Sequence, residues 1–244
     1  MTYCVAMRLD AGLVFLADSR TNAGVDHINT YRKMHVFEKP GERVLVLMSS
    51  GNLAITQAVV NTLRERLETR RGASLYRAKN MFEAAKHVGD CLREVHERDA
   101  TALQKFGMDF AASLILGGQI KGEEPRLFNI YAAGNFIEIQ RETPYCQIGE
   151  AKYGKPIIDR VITPATSLDE AAKCALISMD STIRSNLSVG LPLDLVLYER
   201  DSLRIGRQVQ ITQNSPYYGE IRRQWGEHLR QGFAALPDLD WAAL

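Results

Sequence analysis

The sequence predicts an α+β fold in which two antiparallel sheets face each other and helix pairs cover their outer faces. The first observation is the order of elements, because strands, two helices, strands, two helices and strands follow one another. The second is that residues 13–17 are apolar without interruption, which is typical of a strand buried on both faces. Together they predict a four-layer α-β-β-α sandwich.

Two hairpins open the chain. Strands are predicted over residues 3–9 and 13–17, because short β-favouring runs flank an Asp-Ala-Gly turn. A second hairpin is predicted over residues 34–38 and 43–48, around a Lys-Pro-Gly turn.

Two long helices are predicted next. The first runs over residues 53–71, with Asn52 as its cap and Gly72 at its end. The second covers residues 78–103, where small and apolar residues recur at helical spacing on one face.

Strands return in the middle of the chain. They are predicted over residues 109–116, 126–131, 136–139 and 145–148. The first of them is expected to break at Gly117-Gly118, because glycine weakens a strand interior.

The second helix pair and the last strands follow. A short helix is predicted over residues 153–161, and a longer one from the capping box Ser167 to Glu170 as far as about residue 184. Two final strands are predicted over residues 193–198 and 203–209.

The composition changes near residue 214. Ser215-Pro216 interrupts the pattern, and residues 218–235 form an amphipathic helix with apolar residues every four positions. We therefore expect one domain over residues 1–213 and a C-terminal helical extension over residues 214–244.

Composition excludes several classes of function. The 244 residues carry a formal net charge of +1, so there is no basic field of the kind that nucleic-acid binding needs. No apolar run reaches the ~20 residues of a membrane span, and the N-terminus lacks a signal-peptide pattern. The four cysteines show no Cys-x-x-Cys pairing, which favours a reducing cytoplasm and gives no metal site. We expect no cofactor.

Thr2 is the candidate nucleophile. Once Met1 is removed, Thr2 carries a free α-amine beside its own hydroxyl, and the amine can take the hydroxyl proton directly or through one water. An α-amine titrates near ~7.7–8.0, close to working pH, where a general base is most effective.

The spacing of residues after Thr2 resembles the start of a proteasome-type β subunit. The shared features are Thr2, the run from Ala17 to Gly24, Lys33 and Ser50-Gly51. The family includes the 20S β subunits, the HslV peptidase and the bacterial Anbu branch, and the Gly149-to-Pro156 segment and long C-terminal tail look most like Anbu. The resemblance implies the N-terminal-nucleophile hydrolase fold over about residues 2–210.

The resemblance also implies the catalytic site. Lys33 would lie beside Thr2 and pair with Asp18, because an unpaired buried charge is costly. The amide of Gly51, just before a helix, would donate to the oxyanion. Arg20, on the same strand face as Asp18, is expected to support the site structurally.

Four further residues are expected to contact the substrate. The resemblance implies that Asn22 and Gly24 meet the peptide backbone. Ser49 and Leu53 are expected to flank the side-chain pocket, and their types say little about specificity.

Three positions depart from the family pattern or follow it loosely. Where the family has a serine near the nucleophile, this chain has Glu150, so either a carboxylate has taken the hydrogen-bonding role or the proton network differs. Asp180 carries over as the family's later catalytic aspartate. Ser188 follows after a longer interval than the family shows and carries over as a support residue.

The leading hypothesis is a threonine-type peptidase subunit of a self-compartmentalising, homo-oligomeric ring or ring-like assembly in the cytoplasm, acting on peptides or proteins. An ATPase unfoldase partner is suggested only by analogy with HslV. Two alternatives stay open. One is an N-terminal-nucleophile amidase that acts on a small amide, and the other is a catalytically weak proteasome-like scaffold protein.

Overall fold

Two five-stranded antiparallel sheets form the centre of the computed structural model, which describes residues 2–23, 27–69, 73–107 and 110–241. In chain order the strands are β1 (Tyr3–Leu9), β2 (Gly12–Asp18), β3 (Arg20–Ala23), β4 (His27–Thr30), β5 (Met34–Lys39), β6 (Arg43–Gly51), β7 (Ala112–Ile120), β8 (Arg126–Ile130), β9 (Phe136–Glu138), β10 (Tyr145–Gly149), β11 (Leu193–Glu199) and β12 (Arg207–Ile211). The helices are α1 (Leu53–Thr69), α2 (Met81–Lys105), α3 (Lys155–Val161), α4 (Leu168–Ser185) and α5 (Pro216–Ala234).

The predicted four-layer sandwich is confirmed. One sheet has the order β10-β1-β2-β11-β12 and the other the order β5-β6-β7-β8-β9. Side chains such as Cys4, Phe15 and Met48 fill the space between the sheets. α1 and α2 pack on the outer face of the second sheet, and α3 and α4 on the outer face of the first. The continuous apolarity of β2 follows from this arrangement, because β2 is buried on both faces.

β7 does not break at Gly117-Gly118, so that prediction is wrong. The strand continues through both glycines and pairs with β6 and β8. A Cβ at Gly117 would lie 2.7 Å from the Phe15 ring of the facing sheet, and one at Gly118 would lie 2.1 Å from the Val44 carbonyl oxygen. The two glycines therefore allow close packing in the middle of the sandwich instead of ending a strand.

Gly117→Ala is expected to lower the free energy of unfolding by about 1–3 kcal/mol, because the added methyl group overpacks the Phe15 ring. Urea denaturation at equilibrium measures the change. Gly206→Ala is the matched control, since a Cβ at Gly206 meets no atom within 4 Å. Equal stability of the two variants would contradict the packing argument.

Two other elements differ from prediction. The hairpin of β3 and β4 was not predicted, because its residues are polar and lack strand periodicity. β12 begins at Arg207 and not at residue 203, because Leu203 has a φ of +47°, which lies in the left-handed region and does not fit a strand. The capping box of α4 is confirmed, with the Glu170 amide donating to the Ser167 hydroxyl.

α5 packs on α4 through its first half. Tyr218 is buried, Ile221 contacts the core under α4, and Arg222 Nε donates to Asp180 Oδ1 at 2.6 Å. The apolar stripe continues along the second half of α5, where Leu229 and Phe233 are exposed. No helix in the described part of the chain is both long and apolar enough to cross a membrane. The division at residue 213 stays a prediction.

Candidate active site

Thr2 lies at the start of β1, on the wall of a cavity of about 700 Å³. The cavity opens where the ends of β6 and α1 meet the β3–β4 hairpin, and Thr2 itself is buried. Its lining consists of Thr2, Arg20, Thr21, Asn29, Tyr31, Lys33, Ser49, Ser50, Gly51, Asn52, Leu53, Thr56 and Gly149. Six of the twelve site residues predicted from the sequence therefore line this one cavity.

A buried ion pair lies beside Thr2. Lys33 Nζ is 2.8 Å from Asp18 Oδ1 and also donates to the Arg20 carbonyl oxygen at 2.7 Å. The two side chains are 5% and 0% exposed, so water does not screen them. Burial raises the pKa of Asp18, while Lys33 and two backbone amides act in the opposite direction.

The strand register explains why Asp18 reaches this position. Cys4 of β1 pairs with Ala17 of β2, so the end of β2 lies next to the start of β1. The Tyr3 amide donates to Asp18 Oδ1 at 3.0 Å, and the Gly190 amide donates to Oδ2 at 3.3 Å. Three donors thus fix the carboxylate, which compensates in part for its burial.

Gly51 lies at the rim of the cavity, between β6 and α1. Its φ is +112°, and a Cβ there would lie 2.2 Å from the Ala111 carbonyl oxygen, so only glycine fits. Asn52 follows, and its Oδ1 accepts a hydrogen bond from the Ala54 amide, which caps α1. The positive end of α1 therefore faces the space in front of Thr2.

Glu150 is connected to Thr2 by a backbone hydrogen bond. Its amide donates to the Thr2 carbonyl oxygen at 2.7 Å, and its Oε2 accepts from Asn186 Nδ2 at 2.8 Å. Sequence reasoning missed Asn186. The available signal was its position as the residue after α4, two residues before Ser188.

Arg20 lies on the cavity wall and contacts three other residues. Its carbonyl oxygen accepts from Lys33, and its Nη1 donates to the Leu187 carbonyl oxygen at 3.0 Å. The guanidinium packs on Gly190, where a Cβ would lie 2.2 Å from Arg20 Cζ. Arg20 thereby connects the β3 segment to the loop that follows α4.

The structure does not bring Asp180 to the cavity. Its carboxylate accepts from Arg184 Nε at 3.0 Å and from Arg222 Nε at 2.6 Å, so it lies at the contact between α4 and α5. Ser188 is near the site but does not line the described cavity; its amide donates to Asn186 Oδ1 at 2.9 Å. The Asp180 side chain therefore joins α4 to α5, and the two arginines compensate its buried charge.

The predicted substrate-contacting residues divide into two groups. Ser49 and Leu53 both line the cavity, and Leu53 is 36% exposed at its rim. The backbone of Asn22 pairs with Ile28 in the β3–β4 hairpin, and Gly24 lies outside the described residues. Over residues 2–23, 27–69, 73–107 and 110–241, no three His, Cys, Asp or Glu side chains form a group that could hold a metal ion.

Comparison with known proteins agrees with this geometry. The family model described as proteasome subunit matches residues 2–193. The structure of Anbu (ancestral beta-subunit) from Yersinia bercovieri is 56% identical over 98% of this chain and 99% of that chain, with a TM-score of 0.93. No curated protein matches the chain significantly.

Two further solved structures are similar over their whole length. Anbu from Hyphomicrobium sp. strain MC1 is 50% identical, covers 98% of this chain and 100% of that chain, and has a TM-score of 0.89. A structure described as the helical assembly of the Anbu complex from Pseudomonas aeruginosa is 50% identical, covers 99% of each chain, and has a TM-score of 0.94. With a family match over most of its length and this similarity throughout, the chain belongs to the proteasome subunit family and, within it, to the Anbu branch.

Proposed function

We propose that this chain is a threonine-type peptidase subunit in which Thr2, freed by removal of Met1, is the nucleophile. The observation that carries the proposal is the position of Thr2 on the cavity wall, with Lys33 lining the same cavity and paired there with the buried Asp18 behind it. A structural ion pair alone would not need a cavity in front of it, and a cavity of about 700 Å³ is large enough for several peptide atoms.

The chemistry proposed for the site divides into two steps. In the first, the Thr2 amine takes the hydroxyl proton while Oγ1 attacks the peptide carbonyl carbon, and the oxyanion accepts a hydrogen bond from the Gly51 amide. The C–N bond then breaks, the leaving amine takes the proton, and an ester to Thr2 remains. In the second step, water attacks the ester, the amine again takes a proton, and the acid product leaves as Oγ1 regains its hydrogen.

Lys33 would act through its charge. A cation near the Thr2 amine lowers the pKa of that amine, so that more of it is neutral and able to act as a base at pH 7. Asp18 keeps Lys33 charged and fixed, since both are buried and joined at 2.8 Å. Arg20 and Ser188 have positioning roles in this scheme, and Asp180 has none.

Two mass measurements test the proposal. Intact-mass analysis is expected to show that Met1 is absent from the purified protein. Incubation with a peptidyl vinyl sulfone is then expected to add one probe molecule, and fragmentation is expected to place it on Thr2. Retention of Met1 in every preparation, or an adduct on another residue, would overturn the assignment. Comparison of peptides with small amides distinguishes peptidase from amidase activity.

We further propose that the chain assembles with copies of itself in the cytoplasm. Its relative from Pseudomonas aeruginosa forms a helical assembly, and the exposed stripe on the second half of α5 is a surface for a second copy to cover. The stripe continues past the helix through the exposed residues Leu236 and Trp241. The four cysteines are free in the structure, which suits a reducing compartment. An ATPase unfoldase partner remains an analogy with HslV.

Substituting Leu229 and Phe233 together with serine is expected to shift the protein to smaller species in sedimentation velocity, because the exposed apolar contact is lost. The helix itself is expected to persist, since its buried contacts lie in its first half. Gln231→Ser, on the opposite face of α5, is the control and is expected to leave the assembly unchanged. An unchanged size distribution for the double variant would show that α5 does not form the contact.

A further inference from the structure

Glu150 is joined to Thr2 through its backbone, and its buried carboxylate has a neutral amide and one exposed lysine as its partners. Glu150 is 9% exposed, its Oε2 accepts from the neutral amide of Asn186 at 2.8 Å, and its Oε1 is 3.5 Å from Lys152 Nζ. Lys152 is 68% exposed, so its attraction is screened by water. A buried carboxylate ordinarily has a closer compensating charge.

The backbone places this carboxylate's residue opposite Thr2. In the β1–β10 ladder Cys4 pairs with Ile148 and Tyr3 with Gly149, so the next pair is Thr2 with Glu150. The hydrogen bond from the Glu150 amide to the Thr2 carbonyl oxygen, 2.7 Å long, extends the ladder to that pair. Gly149 makes the approach feasible, because it has a φ of +82° and a Cβ there would lie 1.9 Å from the same oxygen.

We infer that Glu150, held in place by Asn186, is a positioning residue that orients the freed Thr2 amine and sets how readily it takes up a proton. This inference rests on the proposed function, because it concerns the amine that Met1 removal exposes. The α-ammonium would supply a second compensating charge for Glu150, in addition to the exposed Lys152. The chain thus uses a carboxylate where the family resemblance led us to expect a serine.

Two opposing charges then act on one amine. Lys33, with Arg20 on the same cavity wall, lowers the amine pKa, and Glu150 raises it. Other charged or titratable groups near these residues include Asp18, which is paired with Lys33, Cys4 beside that pair, Tyr31 on the cavity wall, and Lys152. Asn186 draws the carboxylate toward α4 and so limits how strongly it holds the proton on the amine.

The pH dependence of kcat/KM tests the inference in the full, assembled protein. In Glu150→Gln the acid limb of the profile is expected to move to lower pH, by on the order of one pH unit, because the neutral amide no longer favours the protonated amine. In Asn186→Ala the limb is expected to move to higher pH, since the released carboxylate pairs more closely with the amine. Lys152→Gln is the control, and its limb is expected to remain within a few tenths of a unit.

A second measurement does not depend on hydrolysis. The rate of reductive methylation of the Thr2 amine by formaldehyde, followed by peptide mass analysis against pH, reports the amine directly, and Glu150→Gln is expected to react faster than wild type near pH 6. Unshifted profiles in both assays, with a uniform loss of kcat, would show that Glu150 is only structural and overturn the inference. If no variant hydrolyses peptides, the proposed function fails, and the methylation profile alone decides the role of Glu150.

Discussion

Thr2→Ala is expected to lower peptide hydrolysis by at least about 10³-fold while the fold and assembly persist, because the substitution removes the attacking oxygen and leaves the amine. The loss of one hydroxyl and one methyl group at the end of β1 is expected to cost only about 1 kcal/mol of unfolding free energy. Initial rates on a fluorogenic peptide, together with thermal melting and sedimentation, measure the separate effects.

Two matched variants make the Thr2 result interpretable. Thr21→Ala removes a hydroxyl from the same cavity wall and is expected to retain activity within about tenfold, since Thr21 does not carry the reaction. Thr2→Ser keeps a hydroxyl on the terminal residue and is expected to remain active. Activity of Thr2→Ala equal to that of wild type would exclude Thr2 as the nucleophile.

Lys33→Met is expected to produce the largest loss of stability, about 3–5 kcal/mol, and to abolish activity as well. The reason is that Asp18 would keep its burial but lose the cation 2.8 Å away, with only the amides of Tyr3 and Gly190 still donating to it. Chemical denaturation of the variant at pH 8 measures the penalty, and peptide hydrolysis measures the loss of function.

The pH dependence of that penalty identifies its cause. Burial already raises the pKa of Asp18, and removing Lys33 is expected to raise it further. In the window above the ordinary pKa of aspartate, the folded variant then binds more protons than the unfolded chain, so its stability falls as pH rises and recovers on acidification. The difference in free energy of unfolding between variant and wild type should therefore be smaller at pH 5 than at pH 8. A gap independent of pH would point to lost packing instead of an unpaired carboxylate.

The sequence predicted the parts of the fold that periodicity and turn chemistry determine. The opening hairpins, both long helices and the capping box at Ser167 all appear within a few residues of their predicted bounds. Thr2 and the buried Lys33–Asp18 pair could also be predicted from the sequence. The spacing of these residues and the cost of an unpaired buried charge both indicate them.

Other features depend on distant packing that no local pattern shows. Gly117-Gly118 was taken as a strand break, although Gly117 makes room for the Phe15 ring and Gly118 for the backbone of Val44. Asp180 was expected at the site because the family resemblance implied a later catalytic aspartate there, but its partner Arg222 lies on a helix 42 residues away in sequence. Asn186 was missed because its position just after α4 does not by itself indicate a role, which depends on the fold that places it against Glu150.

The Asp18 carboxylate accepts hydrogen bonds from amides that are far apart in the chain, at Tyr3 and at Gly190. In addition, β11 pairs with β2, so the sheet that carries Asp18 is incomplete until residues 193–199 are in place. A partly synthesised chain on the ribosome would have its threonine and lysine but not the last support of the carboxylate between them. If the chain is the peptidase proposed above, its activity would therefore appear only after residues 190–199 have been synthesised and have folded onto β2.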